Sequence, residues 1–265
     1  MPLLNHRHGA AGWRASWLVI AVVILCVAAV DAAILRDRPS DLGLSPHGGE
    51  AAAYLPPAHH PRGIGAVLRR GVLWYLGLLY FLFGFTYVIA ATFMVTTLVR
   101  DRGFPESVAG TFWSAVGALS LLSGPIFGTL SDRIGRRAGL AIVFGLQAVA
   151  YALFASGLPG WSLAIAVACY GLTVWSVPSI MTAVAADLAG PRNAAAAFGF
   201  VTFIFGLGQM AGPVAAGALA EASGHFASSF ALAAALAALA AVLSLRLRVA
   251  PAPAPAPAQQ SAGGA

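Results

Sequence analysis

Apolar residues run through this chain in long unbroken blocks, without the one-sided or alternating patterns of water-facing elements. Seven blocks reach the roughly 20 residues that a helix needs to cross a bilayer. They are Trp17–Leu35, Leu73–Val99, Val108–Leu130, Ala138–Ser156, Trp161–Ala186, Ala194–Ala220 and Phe226–Leu245. Barrel strands are shorter and alternate polar with apolar positions, which these blocks do not. The pattern predicts an all-α, polytopic membrane helix bundle of about seven spans. It divides the chain into an N-terminal segment 1–35 with one span, a linker loop 36–71, a six-helix bundle 72–248 and a tail 249–265. The tail alternates Pro with Ala over 251–258, the composition of an extended, disordered end.

Composition strengthens the membrane reading. Only 9% of the 265 residues are charged and 59% are hydrophobic, whereas a globular domain covers its surface with about 25% charged residues. The outer surface therefore faces lipid. All fifteen basic residues are arginine, which excludes chemistry that needs a lysine Schiff base, a retinal-type photoreceptor included. Cys26 and Cys169 lie inside apolar blocks, so neither a disulfide framework nor a Cys-based zinc site is expected. No HExxH, no paired membrane aspartates and no membrane histidine point to an intramembrane enzyme. No cofactor is implied. His59 and His60 lack a surrounding ligand set, so no metal site is expected.

The net charge of +6 is spread over short loops, which suits orientation in a bilayer and not nucleic-acid binding. One alternating set of loops holds eleven arginines, including Arg69, Arg70, Arg133, Arg136, Arg137 and Arg246; the other holds four. The positive-inside rule then places the long loop, the Ser131–Arg137 loop and the C-terminus in the cytoplasm. The N-terminus falls outside despite Arg7 and Arg14, as expected if upstream helices precede Trp17–Leu35. A cleaved signal peptide is the weaker alternative, because Asp31 interrupts the first block and no clean small-x-small site follows it.

The chain also repeats itself. Phe83-Gly84-Phe85-Thr86 aligns with Tyr170-Gly171-Leu172-Thr173 at an offset of 87, as do Met94 with Met181 and Gly103 with Gly190. Gly124-Pro125 aligns with Gly212-Pro213 at an offset of 88, with Phe112 opposite Phe200 and Ser114 opposite Thr202. One copy spans three helices, so the two copies enter the membrane from opposite sides. This predicts an inverted 3+3 repeat, an arrangement that builds many secondary transporters.

Gly128-Thr129-Leu130-Ser131-Asp132-Arg133-Ile134-Gly135-Arg136-Arg137 closes the third block. It resembles the G-x-L-x-D-R-x-G-R-[RK] signature of the major facilitator superfamily, filling every fixed position. Gly128 is expected to allow close helix approach and Gly135 a tight turn. Asp132 is expected to pair with an arginine or a helix N-terminus. The resemblance implies that Gly128, Asp132, Arg133, Gly135, Arg136 and Arg137 hold a cytoplasmic gate. Arg36–Pro46 is similar to the linker between the two halves of such transporters. By that resemblance Trp17–Leu35 is like the sixth helix and the other six blocks are like the C-terminal half, with five helices absent.

The same resemblance assigns a substrate cavity to the blocks starting at Leu73, Val108, Trp161 and Ala194. Thr86, Tyr87, Thr173, Trp175, Thr202 and Gln209 are the chief candidates to line it. Gln209 stands out as the most polar deep group, needing a partner or cavity water. Serine and threonine hydroxyls have the alternative of bonding back to their own helix. Gly124-xxx-Gly128 and Gly208-xxx-Gly212 read as helix-packing faces. Pro125, Pro178 and Pro213 are expected to kink or break their spans. No carboxylate lies mid-membrane in the last six blocks, so a coupling proton or ion would bind in the missing half.

The expectation is a secondary active transporter of a small solute, working by alternating access in a bacterial inner membrane and incomplete without its N-terminal half. Its partners would be the lipid bilayer, the solute and that half. The alternative is a non-transporting membrane fragment, or an assembly partner for a separately made N-terminal half.

Overall fold

The computed structural model describes residues 12–35, 43, 65, 68–158, 160–190 and 193–247. Most of the 36–71 linker, His59 and His60, and the 249–265 tail lie outside them. Every described element is helical. Helix α1 is Gly12–Ile34 and α2 is Gly71–Thr96, the latter continued by a π turn over Thr97–Asp101. Then come α3 (Glu106–Ile134), α4 (Arg136–Ala155), α5 (Gly160–Thr173), α6 (Ser176–Ala189), α7 (Ala194–Ser223) and α8 (Ala227–Leu245). Taking α5 and α6 as one span, seven segments are long and apolar enough to cross a membrane. They correspond one to one with the seven apolar blocks.

Contacts divide the chain into residues 1–60 and 61–265, a boundary inside the expected linker. The first unit contributes α1, whose side chains are exposed from Ala21 to Leu35. Leu, Val and Ile all around a helix with no charge after Arg14 except Asp31 suit a membrane span.

The second unit is a six-helix bundle in which α2 packs on α7, α4 on α8, and α5 on α3. Lipid tails are as apolar as leucine, so burial alone does not drive such helices together; close packing of small residues does. Glycines sit at these crossings. A Cβ on Gly84 would collide with the Phe205 carbonyl of α7, and Cβ atoms on Gly208 and Gly212 would collide with the carbonyls of Phe81 and Phe85 on α2. At the α5–α3 crossing a Cβ on Gly171 would fall 2.9 Å from Leu119 Cβ and 3.2 Å from Val116 Cα. Subtracting 88 from 205 and 209, the residues Gly84 meets, gives 117 and 121, the stretch beside which Gly171 sits. Matched glycines thus meet matched segments. Gly103 and Gly190, a further matched pair, both take left-handed backbone, with φ +70° and +78°. Gly103 follows the α2 span and Gly190 follows the α5–α6 span.

Buried side chains gather in two clusters. One joins the first half of α2 (Leu73 to Phe83) to Leu140, Phe144, Val184 and Val201; the other joins its second half (Phe85 to Leu98) to Tyr151, Phe154, Leu163 and Phe230. Asp101, at the end of the π turn, accepts the Phe226 backbone N–H at 2.7 Å and so satisfies an orphan donor at the start of α8.

Of the 124/128 glycine pair, Gly124 lies near the Ser179 hydroxyl, while a Cβ on Gly128 would meet nothing within 4 Å among the described residues. The close approach at this end belongs to Gly139, where a Cβ would stand 2.5 Å from Ser131 Cβ. The three in-span prolines also behave differently from one another. Pro125 and Pro213 lie inside unbroken helices, while the span holding Pro178 is interrupted at Val174–Trp175.

Candidate functional site

The interruption between α5 and α6 is where the polar groups of the bundle converge. Proline has no N–H to return to the carbonyl four residues earlier, and its ring crowds that carbonyl. Pro178 therefore loosens the ladder at Val174, and the helix restarts at Ser176. A loosened backbone inside a membrane needs partners from neighbouring helices. Gln147 of α4 is fully buried and donates its Nε2 to the Thr173 carbonyl at 3.3 Å. From α3, the fully buried Ser123 accepts the Trp175 N–H on its Oγ at 3.0 Å and shares a 2.7 Å hydrogen bond with the Ser176 hydroxyl. Ser176 Oγ also lies 3.0 Å from the Ser123 carbonyl. Two side chains from two helices thus brace both sides of the break.

Beside it stands an aromatic wall. Tyr87 and Trp175 have ring centroids 6.0 Å apart, and Trp175 is 49% exposed. Behind Tyr87, Phe83 stacks at 5.3 Å; Phe205 of α7 stacks on Phe83 at 5.7 Å and on Tyr80 at 4.5 Å. The Tyr170 hydroxyl donates to the Tyr87 carbonyl at 3.3 Å, joining α5 to α2. Tyr87 and Trp175 are therefore the two sequence candidates that the fold brings together with accessible rings.

The other candidates are placed differently. Thr86 and Thr173 are fully buried, and both hydroxyls return to their own helices: Thr86 to Leu82 and Phe83, Thr173 to Cys169 and Tyr170. That bond is the ordinary way a threonine avoids an unpaired hydroxyl in lipid. Thr202 and Gln209 lie half-buried on α7, with the Gln209 backbone beside Gly84. The deepest amide is not that of Gln209 but that of Gln147 on α4. Its Oε1 is buried without a hydrogen-bond partner, as is the Thr202 hydroxyl. A glutamine inside an apolar block was the available signal for Gln147; Ser123 carried no signal beyond being a serine in an apolar block.

At the end of the bundle that holds the signature loop, Gly135 separates α3 from α4 with φ +93°, a conformation that favours glycine. The turn folds Arg136 back over the end of α3. Its guanidinium pairs with Asp132, donates to Ser131 Oγ at 3.0 Å and reaches Asp187 on α6 at 3.4 Å. One arginine thereby links the α3–α4 turn to the helix that follows the break. Arg133 and Arg137 are exposed. Arg70, before α2, donates to the Leu188 carbonyl near the end of α6. Neither Asp187 nor Arg70 was expected to belong to this cluster.

Comparison with known proteins agrees with this geometry. A family model described as "Uncharacterised MFS-type transporter YbfB" matches residues 4–245. Human solute carrier family 67 member A1 is 33% identical over 152 residues, which cover 52% of this chain and 36% of that protein. Tetracycline resistance protein, class C, of Escherichia coli is 32% identical over 131 residues, covering 48% of this chain and 33% of its own. The chain thus spans about a third of the length of these curated relatives. A crystal structure of the peptide transporter POT in complex with sulfate superposes with a TM-score of 0.56 at 23% identity, covering 74% of this chain and 40% of that one. The relatives are named as carriers, transporters and resistance proteins, not as enzymes, and the seven apolar helices make this a multi-pass membrane protein. With the family model covering nearly all of the described spans, the chain belongs to the MFS-type transporter family.

Proposed function

We propose that this chain forms the C-terminal half of a secondary active transporter for a small solute, and that it moves solute by alternating access together with a second six-helix bundle. The observation that carries this reading is Arg136, which binds Asp132 on one helix and Asp187 on another across the signature turn. Both pairs are partly exposed, and pairs of that kind are worth about 1 kcal/mol or less. A latch of that strength holds one state and still releases it. The α5–α6 break supplies the place where the far end of α6 pivots, with Tyr87 and Trp175 beside it to meet the solute.

The matched crossings of Gly84 and Gly171 support an inverted repeat relating α2–α4 to α5–α8, the two trios entering from opposite sides. The second bundle is supported by α3 and α7, whose most apolar windows are only 22% buried, against 56% for the α5–α6 span. The arginine distribution supports an inner-membrane setting with the C-terminus in the cytoplasm. Mid-membrane carboxylates are absent from α2–α8 in the sequence, so coupling to a proton or ion is assigned to the second bundle.

The test is retention of labelled amphipathic solutes, tetracycline among them, in cells stripped of their own exporters. The chain is expressed alone, with an upstream six-helix half, and with that half plus Asp132→Asn. Solute handling that needs both halves and changes with Asp132→Asn is expected. Identical retention in all cultures, while the two halves still co-purify, would instead establish a non-transporting assembly partner.

A further inference from the structure

Away from the break and the signature turn, the first turn of α2 and the last turn of α8 border an open cleft of about 310 Å³ lined by Val72, Tyr75, Leu243 and Arg246. The Tyr75 hydroxyl donates to the Leu243 carbonyl at 2.7 Å, so the ring is pinned across the seam and the cleft is a built feature. Three of the four lining residues are apolar or aromatic; the fourth is a cation. Arg246 is exposed and forms no ion pair among the described residues.

The position of the cleft selects its ligand. The membrane-spanning stretch of α2 begins at Gly71 and that of α8 ends at Leu245, so the cleft lies at the boundary of hydrocarbon and water. Arg69 and Arg70 precede α2 at this same end, whereas the carboxylates Asp132 and Asp187, at the ends of α3 and α6, are held by Arg136. A ligand must therefore bring negative charge on its wet side and hydrocarbon on its dry side. Basic pockets between spanning helices at such a boundary suit acidic head groups.

We propose that this cleft binds an anionic phospholipid, with the phosphate on Arg246, the glycerol region over the Tyr75 ring and an acyl chain along Val72 and Leu243. Arg69 adds positive charge at the head group. The site uses α8, which the solute pathway does not, and it stands whether or not the chain transports anything. Such a lipid would staple the ends of α2 and α8, adding to the Tyr75–Leu243 hydrogen bond that joins them there.

Native mass spectrometry of the full purified chain, offered phosphatidylglycerol or phosphatidylcholine at equal concentration, tests this. Retained phosphatidylglycerol should exceed retained phosphatidylcholine. Arg246→Gln should lower it about fivefold, the equivalent of about 1 kcal/mol for one arginine at an anionic surface. Val72→Trp, which fills the cleft, should lower it with the arginine still in place. Arg100→Gln, at the opposite end, should leave it unchanged. Equal retention of the two lipids, or no loss in Arg246→Gln, would overturn the proposal. So would Arg246-dependent displacement by inorganic phosphate alone, which would make this a free-anion site.

Discussion

Gln147 Nε2 donates to the Thr173 carbonyl across 3.3 Å, tying α4 to the point where α5 stops. The bond runs between a fully buried amide and a backbone group beside the Val174–Trp175 interruption. Gln147→Leu keeps the volume and removes the donor, leaving that carbonyl short of a partner in a dry setting. A loss of about 1–3 kcal/mol is expected, read as a lower midpoint of thermal unfolding in detergent. An unchanged midpoint would mean that the bond contributes nothing.

Ser123 braces the other side of the same break. Ser123→Ala should cost about 1–2 kcal/mol by stranding the Trp175 N–H. If the two residues hold one hinge, the double variant with Gln147→Leu should depart from additivity by about 0.5 kcal/mol or more. Strict additivity in the thermodynamic cycle would make them independent braces.

Gly84 and Gly171 are crossing points at which a methyl group meets backbone or Cβ atoms. Gly84→Ala and Gly171→Ala should each destabilise the bundle by about 1–3 kcal/mol through overpacking. Gly117→Ala and Gly145→Ala, where a Cβ meets open space, should leave stability unchanged or raise it slightly, since alanine is the better helix former. Equal effects at all four positions, measured by thermal unfolding, would contradict the crossing argument.

Arg136 is 22% exposed, Asp132 58% and Asp187 38%. Solvent screening keeps each pair weak, so Arg136→Gln should shift global stability by less than about 1 kcal/mol. Its effect should appear locally. Backbone amides at Ala185–Ala189 should exchange hydrogen faster in Arg136→Gln and Asp187→Asn than in Asp132→Asn, by mass-spectrometric hydrogen exchange. Equal protection in all three variants would mean that Arg136 does not hold the end of α6.

The spans were legible because a hydrocarbon-thick run of apolar residues is a large signal that needs no partner to be read. Which face of each span is buried was not legible. Leu78 is 44% exposed and Leu79 wholly buried, yet both are leucine, because lipid and protein interior accept the same side chains. The signature loop announced Arg136 and Asp132 by pattern, but Asp187 lies in a different stretch of the sequence and becomes their neighbour only through folding. Gly139 was not legible for a related reason: nothing in the pattern marks it, and only packing shows that it sits tight against Ser131. Pro178 warned of a break, whereas the identity of its braces depended on which helices end up beside it. Gln147 was overlooked because a single amide in an apolar run looks the same whether it faces a cavity or a carbonyl.

The exchanged glycine crossings bear on how the polypeptide is made. The snug partner of α2 is α7, and the snug partner of α5 is α3, so neither helix packs closest on the one made next to it. As the ribosome feeds helices into the bilayer one after another, α2 must dwell in lipid with its notch at Gly84 unfilled until α7 emerges. During that wait it is open to wrong neighbours and to quality-control proteases, so a slow stretch of translation between α3 and α7 should lower the yield of mature protein more than the same delay placed after α7.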